Sequence, residues 1–436
     1  MLHSLKMTNV GPAPQMELEF GSRLNLITGD NGLGKSFLLD SIWWALTRKW
    51  PQQLNSNLTS GYMGRPTDAK KPATIGFRVG SKTKQVEYQS QYVARDQAWT
   101  GKSGRPWNPG LVIYAQADGG FSVWDPARNY WKTGGKVDEQ DRLPGYVFTS
   151  NEVLDGSDRT VKGTTTPLRV CKGLIDDWAG WIASKSLESR NMNAVLAQLS
   201  PSSDPGDKLR AGPSTRISIN DSRDIPTIHI GNGPAAPILH ASAGIRRIAQ
   251  LAYMLTWTWS EHIRAAELLG EDRTQQVVFL IDEIECHLHP RWQRTILNSL
   301  IKMIKVIHKS AEIQLIASTH SPLVMVSAEP LFDHKQDAWF DMDLDRKTGQ
   351  VEIENRPFVR LGIASNWLMS DAFDLSTERS PEGEHAVLAA LEVLRQAKPH
   401  ADKIKAVTKE LQKCLGETDR FWVRWSDHFL NSKVSR

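Results

Sequence analysis

The sequence predicts an α/β fold: a mixed sheet flanked by helices, an antiparallel β subdomain, a short helical insertion and a helical C-terminal region. Three observations predict it. Residues Leu24 to Trp44, LNLITGDNGLGKSFLLDSIWW, read as a buried strand, a glycine-rich turn and a helix. The apolar runs VVFLIDE (277–283) and EIQLIASTHSP (312–322) each end in polar, chemistry-bearing residues, as buried strands feeding a site do. Between the first and second of these lies IAQLAYMLTWTWSEHIRAAELLG, long enough and apolar enough for a core helix.

The first stretch carries the most specific signal. Gly29-Asp30-Asn31-Gly32-Leu33-Gly34-Lys35-Ser36 fits G-x-x-x-x-G-K-[ST], the P-loop pattern. Its context is right: Leu24, Leu26 and Ile27 precede it as a strand, and Leu38, Ile42 and Leu46 follow at helical spacing. Glycines at 29, 32 and 34 let the backbone turn tightly and approach a phosphate with no Cβ in the way. The loop N–H groups then form an anion nest backed by the helix N-terminus. Lys35 is expected to reach the β- and γ-phosphates of ATP, and the Ser36 hydroxyl to ligate Mg²⁺. The expected nucleotide-binding set here is Gly29, Asn31, Gly32, Gly34, Lys35, Ser36 and Phe37.

Length and composition bound the rest. A chain of 436 residues predicts two or three domains. Charged residues are 23% and apolar residues 40%, an ordinary globular balance. A formal charge of +4 neither demands nor excludes nucleic acid. No run of 18 apolar residues predicts a membrane span, and the N-terminal MLHSLKMTNVG has no apolar signal core. Cys171, Cys286 and Cys414 are widely separated, which suits a reducing, cytoplasmic setting. The 16 Trp are expected in packing, since Trp43, Trp257 and Trp259 sit inside apolar periodic stretches.

In chain order, residues 2–28 read as strands broken at Gly11-Pro12-Ala13-Pro14, a small antiparallel sheet feeding the P-loop strand. The helix at 37–49 gives way to a polar loop. ATIGFRVG and KQVEYQSQYV pair around Gly80-Ser81, and 95–110 reads as loop. LVIYAQA is a buried strand, and 118–131 a turn-rich stretch. Two short helices are expected within 165–199, a loop over 201–213, and strands at 216–220 (RISIN) and at PTIHIGN. AWFDMDLDRKTGQVEIENR reads as a hairpin, and the tail from Ser365 as largely helical. The expected divisions are 1–150, an N-terminal lobe with the P-loop; 151–215, a helical and loop insertion; 216–360, a second lobe; and 361–436, a helical region.

Further candidate residues follow. Asp282 and Glu283 close a buried strand, so Asp282 is expected in the Mg²⁺ shell and Glu283 as the base that polarises water. His320 lies at the end of the next strand, within reach of a γ-phosphate. Ser242 is a good N-cap for the long helix. Gln116 is a strand-end polar residue that either ligates metal or does not. Cys286, His287 and His289 are too tightly spaced for a zinc site. Asp341, Asp343 and Asp345 alternate and are expected on one solvated strand face; Arg246 and Arg247 are expected at the surface.

Four motifs thus stand in order: GDNGLGKS, SAGIRR, VVFLIDEIE and STHSP. Together they resemble the ABC-type ATPase heads of the SMC, RecF and OLD group, and especially the AAA family ATPases of bacterial phage-defence systems such as Septu and PARIS. LIDEIECHLHP is similar to the DEPE..LHP style of that group, with Ile284 where Pro is usual. The resemblance implies catalytic roles for Lys35, Glu283 and His320, metal contacts for Ser36, Asp282 and Gln116, and a signature loop at Ser242 and Gly244. In that group the loop caps the γ-phosphate of a second subunit. The resemblance therefore implies a homodimer or higher oligomer joined by ATP, an ATPase using ATP and Mg²⁺, and a sensor or regulatory subunit serving a separate effector protein, such as a nuclease. DNA is a further candidate partner, through a RecF-like repair role; an ATP-bound scaffold with little turnover is the other alternative. No sustained heptads separate the P-loop from the signature, so no long coiled coil is expected, and the short tail after His320 is expected to hold no nuclease.

Overall fold

The apolar runs meet in one sheet. The computed structural model describes all residues except 82, 102–105, 130–141, 161–165, 308–309, 397 and 430–436. Numbered along the chain, β1 (Leu2–Thr8) and β2 (Gln15–Glu19) pair antiparallel, and β3 (Leu24–Gly29) leads into α1 (Lys35–Thr47) and the short α2 (Pro51–Leu54). β4 (Thr74–Gly80), β5 (Gln85–Val93) and β6 (Ala98–Trp99) extend the first pair into a five-stranded antiparallel sheet. Next come β7 (Leu111–Ala115), β8 (Phe121–Trp124), α3 (Pro126–Asn129), β9 (Tyr146–Phe148) and α4 (Ser150–Asp155). A hairpin of β10 (Ser157–Arg159) and β11 (Leu168–Cys171) precedes α5 (Leu174–Ser184) and α6 (Leu187–Gln198). β12 (Leu209–Thr215), β13 (Ile225–Ile230) and β14 (Ala236–Pro237) make a three-stranded antiparallel sheet before the 27-residue α7 (Ala243–Leu269). β15 (Gln276–Ile281), α8 (Pro290–Gln293), α9 (Ile296–Ile307), β16 (Glu312–Ser318), α10 (Pro322–Ala328), β17 (Ala338–Asp345) and β18 (Gln350–Asn355) complete this unit.

The central sheet has the order β18-β17-β3-β16-β15-β7-β8-β9. Its middle five strands, β17 to β7, run parallel; β18 at one flank and β8 at the other run against them, and β9, antiparallel to β8, returns to their direction. All six residues of β3 and all five of β7 are buried, the pattern of strands covered on both faces. The register aligns their C-terminal ends. Ile281 pairs with both Ala115 and Ala317, and Ser318 pairs with Ile27. Residues leaving these strands therefore emerge along one sheet edge, where ligands of open α/β sheets bind.

Helix α1 is fixed over that edge by its apolar side. Leu38, Leu39, Ile42 and Trp43 are fully buried, and Trp43 meets the Tyr114 ring at 6.4 Å. Trp44 stacks on Trp50 at 5.5 Å, with the Arg48 guanidinium 4.0 Å over the Trp44 ring. Each such aromatic pair adds about 1 kcal/mol beyond its burial. Tryptophan thus serves packing at these positions.

Several local expectations need correction. Phe121–Trp124, expected within a turn-rich stretch, is a strand whose four residues are all buried between β7 and β9. Residues 168–171, expected as helix, form β11. The strand expected at 216–220 lies earlier, at Leu209–Thr215, mostly within the expected loop, while Ile219 stands fully exposed. The cause is the partner: β12 pairs with β13, and the irregular register between Gly212 and Thr215 absorbs Pro213, whose presence hides the strand in the sequence. This pairing also crosses the expected 215/216 division. The parts of the expected loop at 95–110 and turn-rich stretch at 118–131 that fall on 102–105 and 130–131 lie outside the described residues.

The chain divides into two compact units, Met1–Ala364 and Ser365–Arg436. In the second, α11 (Ala364–Leu368) precedes α12 (Pro381–Leu394), α13 (Ala401–Cys414) and α14 (Phe421–Phe429). Ala390, Val393, Leu411 and Trp425 form the core of these last three helices, and Arg379 donates to both carboxylate oxygens of Asp419. Among the described residues, no helix is long and apolar enough to cross a membrane.

Candidate nucleotide-binding site

The glycine-rich turn has the backbone its sequence demands. Gly29, Gly32 and Gly34 have φ of +134°, +84° and +98°. A Cβ on Gly29 would lie 2.3 Å from the Met342 carbonyl oxygen, and one on Gly34 would lie 2.7 Å from Pro12 Cγ. The loop closes around its own lysine: Lys35 Nζ donates to the Gly29 and Asp30 carbonyls, both at 2.7 Å. Burial lowers the Lys35 pKa, and the charges of Asp282 and Glu283 act against that shift. Asn31 and Ser36 are exposed at the mouth, and Phe37 packs beneath Gly11 and Gly64.

The strand ends bring the other candidates to the same edge. Asp282 is 3% exposed and accepts from Ser318 Oγ at 2.6 Å. That hydroxyl in turn accepts from the Glu283 N–H at 2.8 Å, and Ile284 N donates to the Ser318 carbonyl at 3.1 Å. Glu283 is half-exposed and has φ of +46°, a conformation non-glycine residues rarely adopt. His320 Nε2 is 3.9 Å from Glu283 Oε1. Burial first, then the Lys35 charge, lower the His320 pKa below 6.5, which keeps the ring neutral at pH 7.

Gln116 leaves β7 almost wholly buried, and neither its Oε1 nor its Nε2 has a hydrogen-bond partner. A buried amide with no partner is unusual in a folded protein. With the Ser36 hydroxyl and the Asp282 carboxylate it offers oxygen donors, the set a hard cation such as Mg²⁺ prefers. The residues present therefore fit Mg²⁺ and a nucleotide phosphate.

Ser242 and Gly244 lie at the N-terminal end of α7. Ser242 is exposed and caps α7 by accepting from Ile245 N at 3.4 Å. Gly244 lies against the turn after Glu283, where a Cβ would be 2.6 Å from the His287 carbonyl oxygen. Among the described residues, no hydrogen bond joins either to the Lys35 loop of the same chain. Cys286 Sγ lies 3.6 Å from the Ala117 carbonyl, and His289 caps α8.

Two expectations are overturned. Arg247 is buried, not at the surface, and donates to the Gln116 carbonyl at 2.6 Å; burial lowers its pKa. Asp341 is also buried, at 2% exposure, where it accepts from Thr28 Oγ1 at 2.6 Å and faces Arg356 at 3.1 Å. Asp343 is exposed and Asp345 half-exposed, as expected. Reasoning from sequence also missed Glu285, whose carboxylate accepts from Thr319 Oγ1 at 2.7 Å and from His320 N at 2.5 Å. The one available signal was its spacing, three residues after Asp282 in a tight turn.

Fold and edge together define an α/β P-loop domain. Residues 24–327, well over half of the chain, match the family described as "AAA domain, putative AbiEii toxin, Type IV TA system", and the chain belongs to that family. It is 34% identical over 111 residues to the Retron Ec83 probable ATPase of Escherichia coli, a match covering 26% of this chain and 17% of the relative. It is 29% identical over 137 residues to the Retron Vc95 probable ATPase of Vibrio cholerae, covering 31% and 20%. The matched segments thus span a fifth or less of these relatives' length. A solved SMC head bound to the C-winged helix domain of ScpA overlaps 81% of this chain and 98% of its own, at 16% identity and a TM-score of 0.42.

Proposed function

We propose that the protein is a Mg²⁺-dependent ATPase whose copies associate head to tail on ATP. The observation that carries this reading is the convergence of Lys35, Gln116, Asp282, Glu283 and His320 on one sheet edge beside the glycine-rich turn. In this reading Lys35 turns from the Gly29 and Asp30 carbonyls to the β- and γ-phosphates, which also receive the loop N–H groups of residues 29–37. Ser36, Asp282 and Gln116 would hold the metal. When bound, Mg²⁺ neutralises charge on the phosphate oxygens. Glu283 accepts the proton of the attacking water, and neutral His320 donates a hydrogen bond toward the γ-phosphate.

The exposed Ser242 cap and Gly244 complete the site of a second copy, because the N-terminus of α7 favours an anion and, among the described residues, no carboxylate of its own chain accepts from it. The lobes are 1–150 and 216–360, with 151–215 inserted but tied to the second lobe where β12 pairs with β13, and 361–436 as a separate helical region. The likeness to two retron probable ATPases supports a regulatory subunit of a bacterial anti-phage system, cytoplasmic, acting with a separate effector.

The test is ATP turnover with and without Mg²⁺, together with light scattering of Glu283→Gln. Wild type is expected to hydrolyse ATP, and the variant to bind ATP, stop turnover and accumulate as a dimer. A wild type without turnover, or a variant that stays monomeric with ATP and Mg²⁺, overturns the proposal.

A further inference from the structure

We infer that Glu285 is the positioning residue that holds His320 in line with Glu283. This rests on the ATPase reading above. One carboxylate bridges two consecutive residues: Oε2 accepts from Thr319 Oγ1 at 2.7 Å and Oε1 from His320 N at 2.5 Å. Thr319 is itself fixed, fully buried with its N–H on the Ile27 carbonyl at 3.0 Å. The other end of the clamp is equally stiff. Cys286 N bonds the Glu283 carbonyl at 2.7 Å, Leu288 N bonds the Glu285 carbonyl at 2.8 Å, and Ile284 is 3% exposed.

The acid turn and the histidine turn are therefore stitched twice. Ser318 ties the strand ends through Asp282 and Glu283, and Glu285 ties the two residues beyond. The second stitch matters for direction. Holding the N–H of residue 320 restrains the backbone from which the imidazole projects, and so narrows the directions open to the ring. That ring ends 3.9 Å from Glu283 Oε1. A carboxylate held largely out of water is costly unless strong donors meet it. The Thr319 hydroxyl and the His320 N–H are those donors, and burial still raises its pKa. Glu285 accepts no hydrogen bond from Lys35, and its charge acts on that lysine less than those of Asp282, Glu283 and Asp30, so the clamp acts mainly on turnover.

The test is a cycle of Glu285→Ala, His320→Ala and the double variant in the full chain. Glu285→Ala is expected to lower kcat by about 10- to 100-fold, as displaced catalytic groups do, while ATP binding stays within about twofold. Glu285→Gln retains an acceptor for the His320 N–H and is expected to lose less. In the double variant the loss is no greater than in His320→Ala alone, because one group acts through the other. Without nucleotide, hydrogen exchange at the His320 amide speeds up in Glu285→Ala. Should that variant fail to fold, Thr319→Val removes one side of the same clamp and enters the same cycle. Additive losses, weaker ATP binding at unchanged kcat, or unaltered amide exchange overturn the inference. A wild type with no turnover overturns the ATPase reading and, with it, this role; the nucleotide-free exchange then still reports whether Glu285 holds residue 320.

Discussion

Replacing Asp341 with alanine tests how the P-loop strand is held. The Asp341 carboxylate accepts from Thr28 Oγ1 at 2.6 Å, and Thr28 in turn accepts from Trp339 Nε1 at 2.8 Å. Its other oxygen faces Arg356 Nε at 3.1 Å. Truncation removes a charge-assisted hydrogen bond inside the protein, about 1.5–3 kcal/mol, and the ion pair with Arg356. The pair adds little, because the arginine is 23% exposed and keeps Glu354 at 3.6 Å. We expect a loss of about 2–3 kcal/mol, measured as a lower unfolding midpoint by tryptophan fluorescence. Asp343→Ala is the control. It removes the next acid of the same strand, which is exposed, so its effect is within about 0.5 kcal/mol. Equal effects of the two substitutions would refute the reasoning, since only the position opposite β3 is buried. Thr28 adjoins Gly29, so Asp341→Ala is also expected to weaken ATP binding in a direct titration.

Other perturbations give distinct outcomes. Gly29→Ala forces a Cβ to 2.3 Å from the Met342 carbonyl at a φ of +134°, and is expected to cost about 2–4 kcal/mol of stability and abolish ATP binding by calorimetry. Lys35→Ala leaves the fold intact by circular dichroism and weakens ATP binding about 10- to 100-fold, the loss of a charge-assisted contact. Asp40 gives a pH dependence: burial raises its pKa from 3.8 to about 7, against a hydrogen bond from Tyr114. Between these values the folded chain binds more protons than the unfolded one, so this residue makes stability fall as pH rises through that window. At 1.36 kcal/mol per pH unit the penalty reaches about 4 kcal/mol by pH 8. Asp40→Asn is therefore expected to raise the urea midpoint more at pH 8 than at pH 4; an equal rise at both would rule out ionisation of Asp40 as the cause.

Part of the site was legible because its chemistry is local. Three glycines at fixed offsets, followed by Lys35 and Ser36, dictate a turn with left-handed positions and an exposed helix start. The apolar runs before Gln116, Asp282 and Thr319 are short and uninterrupted, so their ends were readable as strand ends. Residues that act through distant partners were not readable in this way. Arg247 looks like half of a surface Arg pair until the Gln116 carbonyl, 131 residues away, is set against it. Glu285 looks like another acid in an acidic turn until β15 and β16 lie side by side. Strand β12 was hidden by Pro213, which the irregular register with β13 accommodates.

The sequence by itself determined the strand–turn–helix of the P-loop, the order of the edge residues and the hairpin after them. Each depends on conformational limits set within a few residues. Tertiary structure alone decided which alternating acid is solvated and which is buried. Asp341 and Asp343 point to the same face, yet parallel pairing sets Asp341 opposite Thr28, whereas Asp343 lies one position past Met342, the last residue paired with β3. Burial is a property of what lies across the sheet, and for Asp341 that is a strand 313 residues earlier in the chain.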